Sequence, residues 1–114
     1  MIGKVSQFET LSAAIEMASQ SHRVTGQNLA NVNTPGYKAL EVDFEQLRQR
    51  LNGKTSENQH YQVTEMAGLP TRSDGNNVDM DRELAALKKN AMAYQTLTQL
   101  LGAKMGILKQ AIRS

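Results

Sequence analysis

The sequence predicts a mainly α protein: two long heptad-patterned terminal helices form an antiparallel coiled hairpin, and an irregular polar middle region contains a short helix. Three observations carry this reading. Apolar residues near both ends recur at alternating steps of three and four. The stretch between them is polar and holds both prolines, Pro35 and Pro70. The second pattern has helix punctuation at both ends. The expected division is an N-terminal helix over 1–32, a turn and irregular region over 33–78, and a C-terminal helix over 79–114, all in one elongated domain.

The first pattern runs Phe8, Leu11, Ile15, Ala18, His22, Thr25, Leu29, Val32. It loses quality at His22 and Thr25, and Gly26 weakens the helix by about 1 kcal/mol relative to Ala. The second runs Met80, Leu84, Leu87, Ala91, Tyr94, Thr98, Leu101, Met105, Leu108, Ile112. Only Thr98 in that line is polar, and Met80 and Met105 are expected in the helix–helix seam as ordinary core residues. Asp79 is the expected N-cap. Asp81 and Glu83 suit the positive end of the helix dipole, and Lys109 and Arg113 its negative end. Beside the main line lie Ala86, Ala93, Leu97, Leu100, Ile107 and Ala111, so the apolar stripe is wider than one partner helix needs. Gly102 and Gly106 admit a close neighbouring backbone or a fraying helix end equally.

Helix length bears on shape. Residues 80–112 would span roughly 50 Å as a helix, whereas a compact globule of this size is only ~35 Å across. The molecule is therefore expected to be elongated, with apolar surface left over for self-association or a larger assembly.

In the middle region, Asp43 to Leu51 suits a short amphipathic helix through Phe44, Leu47 and Leu51, ended by Asn52-Gly53. A short strand is expected around Tyr61–Val63. Pro35 and Gly36 suit positions i+1 and i+2 of a type II turn over Thr34 to Tyr37. Asn31, Asn33 and Thr34 can bond the backbone groups freed at the helix end. Read from physics alone, the segment is a sharp helix exit with an exposed Tyr37.

Composition removes several classes of function. The 114 residues amount to one domain. With no cysteine, disulfides, thiol nucleophiles and Cys-bound metals are excluded. No apolar run reaches a membrane span, and Glu9 and Glu16 break the only candidate for a secretory signal. Charge is uneven: residues 33–83 hold six basic against nine acidic side chains, and after Glu83 come only Lys88, Lys89, Lys104, Lys109 and Arg113. These bases are dispersed, with Tyr94 their only aromatic neighbour, so nucleic-acid binding is not expected. Asp74, Asp79, Asp81 and Glu83 lack EF-hand spacing, since Gly75 comes second and Val78 takes a ligand position. Asp43 and Glu45 lack a pocket for acid–base work. His22 is expected packed or interfacial, and His60 falls in the polar loop. No catalytic residue, cofactor or metal ligand is expected.

The segment Ala30-Asn31-Val32-Asn33-Thr34-Pro35-Gly36-Tyr37-Lys38-Ala39 resembles the signature of bacterial flagellar axial proteins, the rod, hook and hook-filament junction subunits. Asp74-Gly75-Asn76-Asn77-Val78-Asp79-Met80-Asp81-Arg82-Glu83 looks like the segment that opens the C-terminal helix in the proximal rod member of that family. The short length and Val42-Asp43-Phe44-Glu45 agree with that member. The resemblance covers about residues 8–51 and 73–113.

It implies a non-enzymatic structural subunit of the proximal rod in the periplasmic space, exported without a cleaved signal peptide by the flagellar type III apparatus. Implied partners are copies of itself, other rod proteins, the membrane-ring adaptor at the rod base and the export apparatus, with no nucleic acid and no direct membrane insertion. Implied assembly residues are Asn31, Asn33, Thr34, Pro35, Gly36 and Tyr37 in the motif. On the helix faces they are Phe8, Leu11, Ile15, Leu29, Leu84, Leu87, Tyr94, Leu97, Leu101, Met105, Leu108 and Ile112. Leu101→Asp or Leu108→Asp is expected to block assembly and leave export intact. The alternative the heptads alone permit is a cytoplasmic helical adaptor or chaperone-like module that binds amphipathic helices; it has no need of the Asn31–Tyr37 motif.

Overall fold

Helix α1 spans Ile2–Ala30 and helix α2 spans Met80–Arg113. The computed structural model describes residues 2–45 and 62–113. Between the helices lie two short antiparallel strands, β1 at Leu40–Asp43 and β2 at Gln62–Glu65. Leu40 pairs with Glu65 and Asp43 with Gln62, and Met66 N–H donates to Ala39 C=O to extend the ladder (2.8 Å). The expected helix from Asp43 to Leu51 falls almost wholly outside the described residues. At the edge of the described residues, Asp43 Oδ1 accepts from Glu45 N–H at 2.9 Å. The expected strand near Tyr61–Val63 overlaps β2; its partner β1 was not foreseen.

The helices pack antiparallel into a hairpin of 65 × 29 × 17 Å with a radius of gyration of 17.8 Å. A compact chain of this size has about 13 Å, so the molecule is elongated. α1 ends where Asn31 N–H reaches back to both Gln27 and Asn28 carbonyls. Pro35 then forbids continuation, and Gly36 takes φ +76°, the left-handed value that position i+2 of a type II turn requires. Tyr37 N–H closes the turn onto Thr34 C=O at 3.2 Å. α2 begins as the sequence indicates: Asp79 Oδ1 accepts from Asp81 N–H (3.0 Å) and Arg82 N–H (3.3 Å). Two of the helix's orphan amides are thereby satisfied.

The seam between the helices differs from the expected one. In α2 the covered positions are Glu83, Ala86, Leu87, Asn90, Ala93, Leu97, Thr98, Leu101, Lys104 and Leu108. Of the expected line, Leu87, Thr98, Leu101 and Leu108 are in the seam, and the other six positions are not. Met80 (49 % exposed), Leu84, Ala91, Tyr94, Met105 (57 %) and Ile112 (77 %) face solvent. Met80 and Met105 are therefore not seam residues. In α1 the buried residues are Ala13, Ala18, Val24, Thr25 and Asn28. Phe8, Leu11, Ile15 and Leu29 are half-buried beside them, and His22 is exposed at the rim of a groove it shares with Ser19, Ala91 and Tyr94. Of the two expectations for His22, packed or interfacial, packing within the chain is corrected accordingly. An added Cβ at Gly102 or Gly106 would meet nothing within 4 Å. The helix runs on past both, so within this chain they mark neither a close approach nor a frayed end.

Candidate functional site

The two sequence segments singled out above form one structure. The turn after α1 and the segment before α2 clasp each other through polar groups. Asn76, fully buried, points its amide at the end of α1. Its Nδ2 lies 2.9 Å from Asn31 C=O, 3.1 Å from Val32 C=O and 2.9 Å from Thr34 C=O. Those carbonyls have no intrahelical partner, so Asn76 acts as a C-cap supplied from elsewhere in the chain. Arg72 adds a second donor to Val32 C=O. The Asn76 carbonyl accepts Arg72 N–H at 2.8 Å, and its Oδ1 accepts Val78 N–H at 2.7 Å.

Further bonds run between the same segments. Asn77 Oδ1 accepts Ala39 N–H (2.6 Å), and Asn77 N–H donates to Tyr37 C=O (3.3 Å). Gly36 N–H donates to Asp74 C=O (2.9 Å), and Lys38 Nζ to Gly75 C=O (2.5 Å). The strands cross so closely here that a Cβ on Gly75 would come within 3.2 Å of Gly36 Cα. Gly75 itself holds φ +86°. Both glycines are therefore required, one by the turn and one by backbone approach as well as φ.

The centre of the clasp is Asn28 with Glu83. Glu83 is 1 % exposed and Asn28 fully buried. Asn28 Nδ2 donates to Glu83 Oε2 (3.2 Å) and to Leu40 C=O (2.9 Å). Asn28 Oδ1 accepts from Tyr37 OH (3.0 Å) and Leu40 N–H (2.9 Å). All four of its hydrogen-bonding sites are thus used. Arg82 Nη2 lies 3.0 Å from the other Glu83 oxygen, half-exposed where Glu83 is not. Burial first, and the Glu83 carboxylate second, push the Tyr37 phenol above its ordinary pKa of 10.0. The backbone N–H of Asn76, aided by Arg72, holds the Asp74 carboxyl below its ordinary value.

The motif residues divide as follows. Asn31 and Thr34 bond each other and the helix end: Asn31 Nδ2 donates to Gln27 C=O, and Thr34 Oγ1 to Asn31 Oδ1. Asn33, Thr34, Pro35 and Gly36 lie exposed on the outside of the turn. Tyr37 does not; it is half-buried with its hydroxyl on Asn28, which corrects the reading of an exposed tyrosine. Sequence reasoning missed Asn28 altogether, and read Glu83 only as a helix-dipole residue. The available signal was Asn28 itself, a poor helix former inside a long helical pattern.

Chemically the clasp is closed upon itself. Its carboxylates, amides and phenol hold one another, and among the described residues no three His, Asp or Glu side chains could hold a metal ion. Nor is any described helix long and apolar enough to cross a membrane. The clasp does orient the helices, and with them the outward apolar line of α2. That line, with half-buried Phe8, Leu11 and Ile15 of α1, is the candidate site, a surface for other helices.

Residues 9–38, covering most of α1 and its turn, match the family model described as flagella basal body rod protein. The class in question is thus that of flagellar rod proteins. Over the whole chain, the flagellar basal body rod protein FlgB of Escherichia coli strain K12 is 31 % identical, with 83 % of this chain and 85 % of that one covered. The FlgB of Bacillus subtilis is 29 % identical with 92 % of each covered, and that of Aeromonas hydrophila 28 % identical with 88 % and 87 % covered. The chain belongs to the FlgB family of flagellar basal body rod proteins.

Proposed function

We propose that this chain is a structural subunit of the proximal rod of the bacterial flagellum, with no catalytic role. It assembles by burying the outward line of α2 against helices of neighbouring subunits, copies of itself and other rod proteins. The observation that carries this is the line itself: Met80, Leu84, Tyr94, Met105 and Ile112 stay exposed on a hairpin that has no further element among the described residues to cover them. An elongated hairpin with heptad-spaced apolar residues on its outside is suited to lateral helix packing. The exposed edge of the turn, Asn33 to Gly36, is read as a second contact. The membrane-ring adaptor at the rod base, the type III export apparatus and a periplasmic position without a cleaved signal belong to the same reading.

The test uses the outward residues. Leu101 and Leu108 are half-buried in the seam, so aspartate there would disturb the hairpin as well as assembly. Met105→Asp and Ile112→Asp are expected to leave the helicity of the free chain unchanged, leave export intact and abolish rod assembly. Normal rods built from either variant would contradict the proposal.

A further inference from the structure

The two-stranded sheet has two edges, and only one of them is closed. The ladder fixes where the backbone groups point. Met66 N–H donates to Ala39 C=O, so Glu41–Thr64 and Asp43–Gln62 are the bonded pairs of the antiparallel register. Leu40–Glu65 and Val42–Val63 are the alternate pairs, whose N–H and C=O groups turn away from the ladder. Leu40 shows this directly on the β1 side: Asn28 accepts its N–H and donates to its C=O, standing in for a neighbouring strand. β1 also packs against α1. On the β2 side the same alternation turns the N–H and C=O of Val63 and Glu65 outward. All four residues of β2 are exposed, Val63 by 50 %, and no third strand among the described residues pairs with it. Open edges are commonly blunted by lysine, proline or a bulge. β2 reads Gln62-Val63-Thr64-Glu65 and pairs with β1 residue for residue, so it has none of these.

We propose that the outer edge of β2 is a docking site for an extended, basic segment of another chain, which adds to the sheet as a third strand. Main-chain hydrogen bonds to Val63 and Glu65 supply the attachment. Charge selects the occupant. The sheet carries Glu41, Asp43 and Glu65 and neither Lys nor Arg. Glu41 and Asp43 are exposed, and they share one face with Gln62 and Thr64. Lysines of an added strand on that face reach towards both carboxylates, while its alternate apolar residues lie beside Val63. Lys89, which lines a groove with Glu41, stands on the α2 side of β1. A second copy of β2 would bring the same carboxylates to the edge, and like charges across strands repel. The site lies on the sheet rather than on the outward line of α2, so it stands apart from the assembly surface above.

The test is made on the free, isotope-labelled full-length chain at low ionic strength, where charge selection is least screened. The probe is a synthetic heptapeptide of alternating lysine and valine, blocked at both ends, and amide exchange is read residue by residue by NMR. Without peptide, Val63 and Glu65 N–H are expected to exchange faster than Thr64 N–H, which is inside the ladder. With peptide, Val63 and Glu65 should slow several-fold. The same peptide with glutamate in place of lysine should leave them fast. Val63→Pro removes one outward N–H and no ladder bond. It should abolish the slowing at Glu65 while Thr64 keeps its protection. Glu41→Lys combined with Glu65→Lys should transfer the slowing to the glutamate peptide. Slowing by neither peptide, or by both alike, would overturn the proposal. So would slow exchange of Val63 and Glu65 without peptide, because the edge would then be taken within the chain or, where the slowing grows with protein concentration, by a second copy. None of these outcomes depends on whether Met105→Asp and Ile112→Asp abolish rod assembly, so the two ideas fall separately.

Discussion

At Asn76, a single side-chain amide serves three main-chain carbonyls at the end of α1. Removing it takes one donor from each, with Thr34 N–H, Arg72 and Tyr37 N–H remaining on Asn31, Val32 and Thr34 in turn. It also strips the buried Val78 N–H of its Asn76 Oδ1 acceptor, at about 1–3 kcal/mol for a group so stranded. Asn76→Ala is therefore expected to lower unfolding stability by roughly 2–3 kcal/mol, read as a lower urea midpoint at unchanged slope. Tyr37 gives a pH signature. Its phenol pKa is raised in the folded chain, so the folded state keeps a proton that the unfolded state releases first. The stability involved is whole below pH 10.0 and is lost as pH rises through the folded value. Tyr37→Phe is expected to remove that alkaline loss and to cost about 1 kcal/mol at neutral pH for the bond to Asn28. Asp74 works in the other direction: its carboxyl is held below 3.8, so its contribution is present at neutral pH and lost on acidification. The charge on Asp79 and its place before a helix made the N-cap readable in the sequence. Asn28 and Glu83 were not readable, because their partners are 55 residues apart and neither segment is patterned to announce the other.

Among the elements, the turn and the start of α2 follow from local chemistry, and so they were legible. Gly36 and Gly75 both sit at left-handed φ, and a Cβ on Gly75 would press on Gly36. Gly36→Ala is expected to cost about 1–2 kcal/mol through φ alone. Gly75→Ala should cost more, because close backbone approach adds to strain, and thermal melts of the two variants would show that order. The identity of the helices was equally plain from their periodicity. Their rotation was not. A heptad line in a sequence says that one face is apolar, and does not say whether that face meets the chain's own partner helix or another molecule's. Here α2 divides its apolar residues: Leu87, Leu97, Leu101 and Leu108 are covered, and Met80, Leu84, Tyr94, Met105 and Ile112 are exposed. Strand β1 escaped notice because Leu40–Asp43 is only four residues long and alternates too briefly to stand out.

The whole molecule is a long hairpin with a polar clasp at one end and little core. Beyond Glu83 no described residue of α2 is buried, although the helix continues for thirty residues to Arg113. Exposed Met92, Leu100 and Ile107 add apolar surface on other sides of the helix. A chain built this way gains most of its apolar burial only when other helices arrive. Its melting temperature is expected to rise with protein concentration, since association stabilises the folded form by mass action, and Met105→Asp should flatten that dependence. Elongation and surplus apolar surface were legible from helix length alone, because a helix longer than a globule of the same mass cannot lie within it. The division of labour was not: the two family segments hold the hairpin closed, and the outward apolar face of α2 is left exposed. The central claim, that the chain is a structural subunit at the base of the rod, is tested most directly by electron cryotomography of basal bodies in cells lacking the gene. The account predicts a membrane ring and export apparatus with the rod missing. A complete rod, or a stub still standing on the ring, would contradict it.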